Sequence, residues 1–350
     1  MENCTLTGST GSNEGLVGGA GESRLAQANM SGQENALIHR IAAAPGKRRR
    51  DGWVTLGIGD DAALWVPRPG REVALTCDWF LEGTHFLRGK HPPDAVGWKS
   101  LARAVSDIAA MGGTPRCFLM SLAMPAELTE KWLDHFLRGL RRAAKELRCE
   151  AVGGDTTRRQ EVLINMTVIG EVLRGKAIRR SGASAGDAIY VSGTLGEAEL
   201  GLRMLRKERG PVEATNAALL KHLYPRPRLE LGQWLAKEGL ATAMMDLSDG
   251  LSTDLPRLCA AGGVGAKIEG DSLPVSKLAA RGEATKLALH GGDDYELLFT
   301  VKQRNERRLP RKFKGLRLTR IGEITDGRRI FFVEGGKSMT VRSGVWDPFR

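Results

Sequence analysis

Residues 94–124, DAVGWKSLARAVSDIAAMGGTPRCFLMSLAM, read as a helix, a stop and a strand in immediate succession. Leu101, Val105 and Ile108 recur at helical spacing, while Ser100, Arg103 and Asp107 line another face. Gly112, Gly113 and Pro115 end the helix, and 116–124 continues as an apolar, strand-like run. The same alternation extends both ways. Upstream, a short helix is expected around 34–44 and a buried strand over 73–80. Downstream, Trp132, Leu133, Phe136, Leu137 and Leu140 mark an amphipathic helix, and 161–173 a strand. A polar stretch containing Gly and Ser, 174–185, forms a seam. Beyond it come a strand (187–192), two helices (196–206 and 229–237), a strand (244–247), a helix (254–261) and strands at 295–301 and 329–333. Alternation in both halves predicts an α/β or α+β protein. The expected division is a tail over 1–32, an N-terminal domain over 33–174 and a C-terminal α/β domain over 175–350.

Six segments set aspartates among glycines and small or apolar residues. They are GIGDDAALW (57–65), TCDWFLEGTHF (76–86), VSDIAAMGG (105–113), AVGGDTTR (151–158), DLSDGL (246–251) and GGDDYELL (291–298). A bare carboxylate at the end of an apolar stretch is costly to bury. Hard divalent cations hold several such acids together, and polyphosphates are their natural partners. The pattern therefore points to a magnesium-dependent, nucleotide-using enzyme.

Taken singly, each segment keeps a plainer reading. Asp60 and Asp61 follow a glycine turn and fit a surface turn as well as a ligand. Asp78 sits in an apolar strand with Glu82, Gly83 and His85 close behind. Asp107 falls at a helix C-terminus, where the macrodipole disfavours negative charge and a compensating cation would help. Residues 153–157 have the form of a strand-to-loop turn whose amides could approach an anion. They match neither the P-loop nor the Rossmann fingerprint. Asp246, Ser248 and Asp249 stand where a strand runs into a helix N-terminus, suited to phosphate or to simple capping. Asp293 and Asp294 precede a strand and could form a turn.

Composition narrows the class. The 350 residues carry 52 basic and 41 acidic side chains, a net charge of +11, which favours anionic substrates. The basic runs at 47–50, 203–209 and 302–314 lack interleaved aromatics and read as solvated faces, not as a nucleic-acid platform. Five scattered cysteines (Cys4, Cys77, Cys117, Cys149, Cys259) form no C-x-x-C pair, which argues against disulfides and structural zinc. A reducing, cytoplasmic setting is expected. No apolar run is long enough to cross a bilayer, and the N-terminus has no secretory signal pattern.

In their order and wording, GIGDDAAL, T-x-D-x-x-x-x-G-x-H-F, SDIAAMG, GGDTTR, DLSDGL and GGDDYELLFT closely resemble the thiamine-monophosphate kinase family. That family belongs to an ATP-binding superfamily with aminoimidazole-ribonucleotide synthetase, selenophosphate synthetase and a hydrogenase-maturation protein. The resemblance runs from about Gly57 to Trp346. It implies a two-domain fold of the aminoimidazole-ribonucleotide synthetase type, in a homodimer whose N-terminal domains jointly build a β-barrel-like core. It implies transfer of the γ-phosphoryl of ATP to thiamine monophosphate, giving thiamine diphosphate, with several Mg2+ ions. Carried over by position, Asp61, Thr76, Cys77, Asp78, Asp107, Asp155, Asp246 and Asp249 correspond to metal positions. Gly154, Asp155, Arg180 and Ser248 correspond to nucleotide contacts. His85, Asp293 and Trp346 correspond to acceptor contacts. Asp107, Asp246 and Arg180 are the expected catalytic set.

Two departures stand out. Cys77 replaces a hydroxyl residue and, being a poor magnesium ligand, could serve only through its carbonyl. Asp293 replaces a glutamate. Other members of the superfamily are the alternative. His85 and the GGDDYELL segment oppose a purine-pathway synthetase. A selenophosphate synthetase would pair a reactive Cys with a nearby Lys, yet no lysine precedes Lys47. Neither a nucleic-acid nor a membrane partner is expected.

Overall fold

A computed structural model describes Arg40 and residues 54–58, 62–207 and 216–340. The expected tail and the helix at 34–44 lie outside these, save Arg40, which is helical. Residues 42–350 fall in one compact unit. It begins with a short antiparallel pair, β1 (Val54–Leu56) and β2 (Leu64–Trp65). The first sheet then takes β3 (Arg71–Leu81), β4 (Thr114–Met124), β5 (Glu150–Arg158) and β6 (Leu163–Leu173) in the order β3-β6-β4-β5. Helices α1 (Pro93–Ala110) and α2 (Lys131–Leu147) lie between its strands in sequence.

The second sheet has eight strands. They are β7 (Asp187–Ser192), β8 (Ala241–Leu247), β9 (Gly265–Glu269), β10 (Glu296–Lys302), β11 (Lys312–Phe313), β12 (Leu316–Thr325), β13 (Ile330–Glu334) and β14 (Lys337–Thr340). The path runs β14-β13-β9-β12-β7-β10-β8, with β11 paired to β12. Helices α3 (Glu197–Lys207), α4 (Ala217–Leu223), α5 (Leu229–Glu238), α6 (Leu251–Gly262) and α7 (Arg281–His290) complete the fold. All pairings are antiparallel except β4 with β5 and β13 with β9. That makes the protein α+β more than doubly wound.

Two local expectations change. The strand at 73–80 is not buried on both faces: Val73, Leu75 and Trp79 are 43%, 70% and 52% exposed, while Phe80 is buried. One face of β3 meets α1 and the other is bare. Residues 153–157 are a strand, not a turn. Gly154 at φ +152° lets β5 lie against β4, since a Cβ there would stand 1.9 Å from the Met120 carbonyl oxygen. Among the described residues the sheet of one chain is open, with β3 and β5 at its edges; the expected barrel-like core is one that two chains would build jointly.

Helix α1 is buried along nearly its whole length, as expected for a helix packed on several sides. It crosses α2 at glycine contacts, where a Cβ on Gly97 would meet the Phe136 carbonyl and one on Gly139 the Asp94 carbonyl. Against the second half, the Trp98 indole donates to the Pro225 carbonyl (2.8 Å) and Gly232 lies against Ala109. α1 therefore joins the two halves, and it carries the site.

Candidate active site

Three residues on successive turns of α1, Lys99, Arg103 and Asp107, each meet a different partner. Spacing of four residues places them along one stripe of the helix. At the C-terminal end, Asp107 Oδ2 accepts from the Thr76 hydroxyl of β3 at 2.6 Å. Asp246, at the end of β8, is buried, and the charge of Asp107 acts on it from the facing element. Burial first, then Asp107, pushes the Asp246 carboxyl up to about 7. Burial likewise raises Asp107, against the pull of the Thr76 hydroxyl. Arg180, in a short turn (Arg180–Gly182), draws both acids back toward the charged form. That turn is fixed on both sides: the Ile178 amide donates to Met111 just past α1, and the Met244 amide to the Arg179 carbonyl. Gly182 packs directly on the Thr242 carbonyl. Asp107, Asp246 and Arg180, far apart in sequence, are thus gathered at one place.

Helix α6 begins beside this point without the side-chain cap that Ser248 or Asp249 could have supplied; its N-cap is Gly250. Asp249 instead pairs with Arg257, and its amide donates to Asp254 Oδ2 at 3.0 Å. The Ser248 carbonyl accepts from the Asp293 amide (2.8 Å) and the Leu247 carbonyl from the Tyr295 amide (2.9 Å). The DLSDGL and GGDDYELL segments are therefore stitched to one another.

The middle of the stripe holds Arg103, whose Nε and Nη2 make a bidentate pair with Asp78 at 3.0 and 3.2 Å. Its guanidinium also sits over the Phe80 ring, 5.2 Å from the centroid. At the N-terminal end, the buried Lys99 ammonium donates to Asp293 Oδ2 at 2.9 Å, and the Tyr295 hydroxyl donates to Oδ1 at 2.8 Å. Burial would raise Asp293, but Lys99 and Arg103 hold it well below the usual carboxylate range. Asp293 and Tyr295 both have positive φ, +66° and +50°. For a tyrosine this is an unfavourable conformation, the kind retained where surrounding structure dictates it. His85 lies nearby. Its Nδ1 accepts from the Leu81 amide (3.0 Å), which leaves Nε2 as the donor, and burial lowers the ring to about 4. His85 is thus neutral near pH 7. Asp294, the other half of the pair, is structural: it caps α3 by accepting from the Gly196 and Ala198 amides.

Other expected residues fall elsewhere. Asp155 is exposed on β5, at the sheet edge opposite β3 and three strand spacings away, about 14 Å. Gly154 beside it serves strand packing. Cys77 is exposed and exchanges contacts with the Asn165 amide group. Asp61 and Trp346 lie outside the described residues. Among the described residues, no three His, Cys, Asp or Glu side chains come close enough to enclose a metal ion. Lys99, Tyr295 and His222 escaped the sequence reading. The four-residue spacing of Lys99, Arg103 and Asp107 was the available signal.

Two family models cover most of the chain: the N-terminal domain of AIR synthase related proteins matches residues 59–172, and the C-terminal domain 184–334. The thiamine-monophosphate kinase of Salmonella typhimurium is 38% identical over 329 residues, 91% of this chain and 99% of that protein. The chain belongs to the thiamine-monophosphate kinase family. A solved thiamine-monophosphate kinase from Stenotrophomonas maltophilia superposes with a TM-score of 0.76 at 38% identity, covering 87% of this chain and 97% of that one. The structure described as "AaThiL complexed with AMPPCP and TMP" is 35% identical with a TM-score of 0.69, covering 78% and 86%. That membership places the six aspartate segments in a kinase and establishes the two-domain α+β architecture.

Proposed function

We propose that the site where α1, β8 and the Arg180 turn meet carries out ATP-dependent phosphorylation of thiamine monophosphate to thiamine diphosphate. Family membership makes the chain a phosphotransferase using ATP. The observation that carries the residue assignment is the convergence of Asp107, Asp246 and Arg180 from three separate elements.

The acceptor is a phosphate monoester with a second pKa near 6, already mostly ionised at neutral pH. No general base is needed, which matches a site whose histidine, His85, is neutral and fixed by a backbone amide. The difficulty lies in bringing two polyanions into line, a matter of positioning and charge neutralisation. Magnesium, when bound, supplies that neutralisation. The donors present fit such a hard ion: Asp107, Asp246 and the Thr76 hydroxyl all offer oxygen, and the two acids repel one another across the site. Asp61, Cys77 through its carbonyl, Asp78, Asp155 and Asp249 complete the proposed ligand set. Arg180 and Ser248, with Gly154 and Asp155, address the nucleotide. Arg180 offers a planar fork to the transferring phosphoryl. His85, Asp293 and Trp346 hold the acceptor.

The proposed unit is a cytoplasmic homodimer. The bare apolar face of β3 and the open edges β3 and β5 support it. The proposed domain limits are 33–174 and 175–350; residues 1–32 lie outside the described chain. The test is ATP consumption with thiamine monophosphate, free thiamine and an aminoimidazole precursor offered in parallel. Turnover is expected with the first alone. Turnover with the aminoimidazole compound instead would move the chain to the purine-pathway reaction.

A further inference from the structure

Lys99 is 1% exposed, and its ammonium lies between two partners: Asp293 Oδ2 at 2.9 Å and His222 Nδ1 at 3.3 Å. Behind it, His222 Nε2 lies 3.1 Å from His91 Nε2, with both rings buried. The Leu87 amide donates to His91 Nδ1 at 3.1 Å, so the neutral His91 ring carries its proton on Nε2, facing His222. Burial first, then the charge of Lys99, keeps both rings in the neutral form. The two imidazoles thus close the pocket behind the ammonium.

Such an arrangement is costly. A buried lysine is tolerated only when paired, and an apolar side chain of equal length would serve packing as well. What the lysine supplies is a fixed carboxylate. Asp293 is 27% exposed and open to a ligand, whereas Lys99 is not. Lys99 belongs to α1, and Asp293 to the segment stitched onto β8. The pair therefore spans the two halves. It sets the distance from the acceptor carboxylate to Asp107, eight residues further along the same helix, about 12 Å of rise.

We propose that Lys99 is a positioning residue for the acceptor, acting through Asp293, with His222 and His91 as its buried backing. This rests on the reading of Asp293 as an acceptor contact. The site then presents the acceptor with a charge-compensated hydrogen-bond acceptor instead of a loose anion.

The test is steady-state kinetics on the full chain, with KM for each substrate measured separately. Lys99→Met should raise KM for thiamine monophosphate tenfold or more and leave KM for ATP within twofold. In an Asp293→Asn background the same change should have little further effect, because the residue through which it acts is already altered. His222→Gln, which loosens the backing without removing the charge, should raise the acceptor KM by a smaller factor. It also serves as the readout if Lys99→Met does not fold. An unchanged acceptor KM in the soluble variants, equal shifts for both substrates, or full additivity with Asp293→Asn would each overturn the proposal. Wild-type enzyme that turns over no thiamine monophosphate would instead overturn the functional reading, and the inference with it. The wild-type control thus separates the two failures.

Discussion

At Asp246, function and stability pull in opposite directions. The carboxyl is buried and pushed up to about 7, so the folded chain bears a cost for keeping it ionised at neutral pH. Asp246→Asn keeps the shape and removes that cost. Phosphoryl transfer should fall by about two orders of magnitude or more, while the thermal midpoint at pH 7.5 stays level or rises. An active variant, or one that melts earlier, would contradict the assignment. His91 gives the opposite pH signature. Burial, with help from Lys99, lowers the ring to about 3 from its usual 6.5. The unfolded chain therefore binds a proton below pH 6.5 that the folded chain refuses. Stability from the neutral ring is present above 6.5 and is lost as pH falls toward 3. His91→Gln does not titrate, so the stability advantage of wild type over this variant should shrink by about 2 kcal/mol between pH 8 and pH 5. Denaturant unfolding at the two pH values measures it, and a constant difference would show that His91 is not a buried neutral base.

Helix α1 was the most legible element. Its expected extent, 94–111, differs from the observed Pro93–Ala110 by a residue at each end, and Asp107 falls in the last turn as its position implied. Lys99 was not legible, because a lysine in an amphipathic helix ordinarily marks the wet face. The partner that buries it, Asp293, stands 194 residues away. Strand β5 was missed because glycines at 153 and 154 imitate a turn; only the strand alongside shows that they permit close packing. Strands β9 and β12 pair non-locally and are irregular in pattern, and helix α4 is only seven residues long. The seat of α1 makes an element-level prediction. Gly to Ala inside an exposed helix normally gains about 1 kcal/mol. At Gly139 the added Cβ would stand 1.8 Å from the Asp94 carbonyl oxygen, so the helices must part. Gly139→Ala should lose about 1–3 kcal/mol, as overpacking does, and should raise the acceptor KM by moving α1. A higher melting temperature would mean that the α1–α2 crossing is looser than described.

For the whole molecule, Asp155 poses the decisive question. Its register partner across β4 is Ser121, then Asn165 on β6 and Trp79 on β3, so it shares a row with an exposed tryptophan and lies at the far edge of the sheet. Asp78, Asp107 and Asp246 collect on the α1 side of the opposite edge. A single chain therefore keeps Asp155 away from the acids with which the family pattern groups it. The second copy of the proposed homodimer would supply it, meeting the exposed Leu75 and Trp79 and the sheet edges that no other described strand pairs. Leu75→Arg should give a monomer in analytical ultracentrifugation and abolish turnover together with the dimer. The sharper test mixes two inactive variants, Asp78→Asn and Asp155→Asn, and allows subunits to exchange. If each site takes Asp78 from one copy and Asp155 from the other, half of the mixed population is heterodimer, and each heterodimer has one intact site of two. Activity should then return to about a quarter of wild type, as follows from the isologous symmetry of a two-fold dimer. If each site is built within one chain, every heterodimer carries two damaged sites and nothing returns. Failure to recover activity in dimers shown to exchange would remove Asp155 from the shared site.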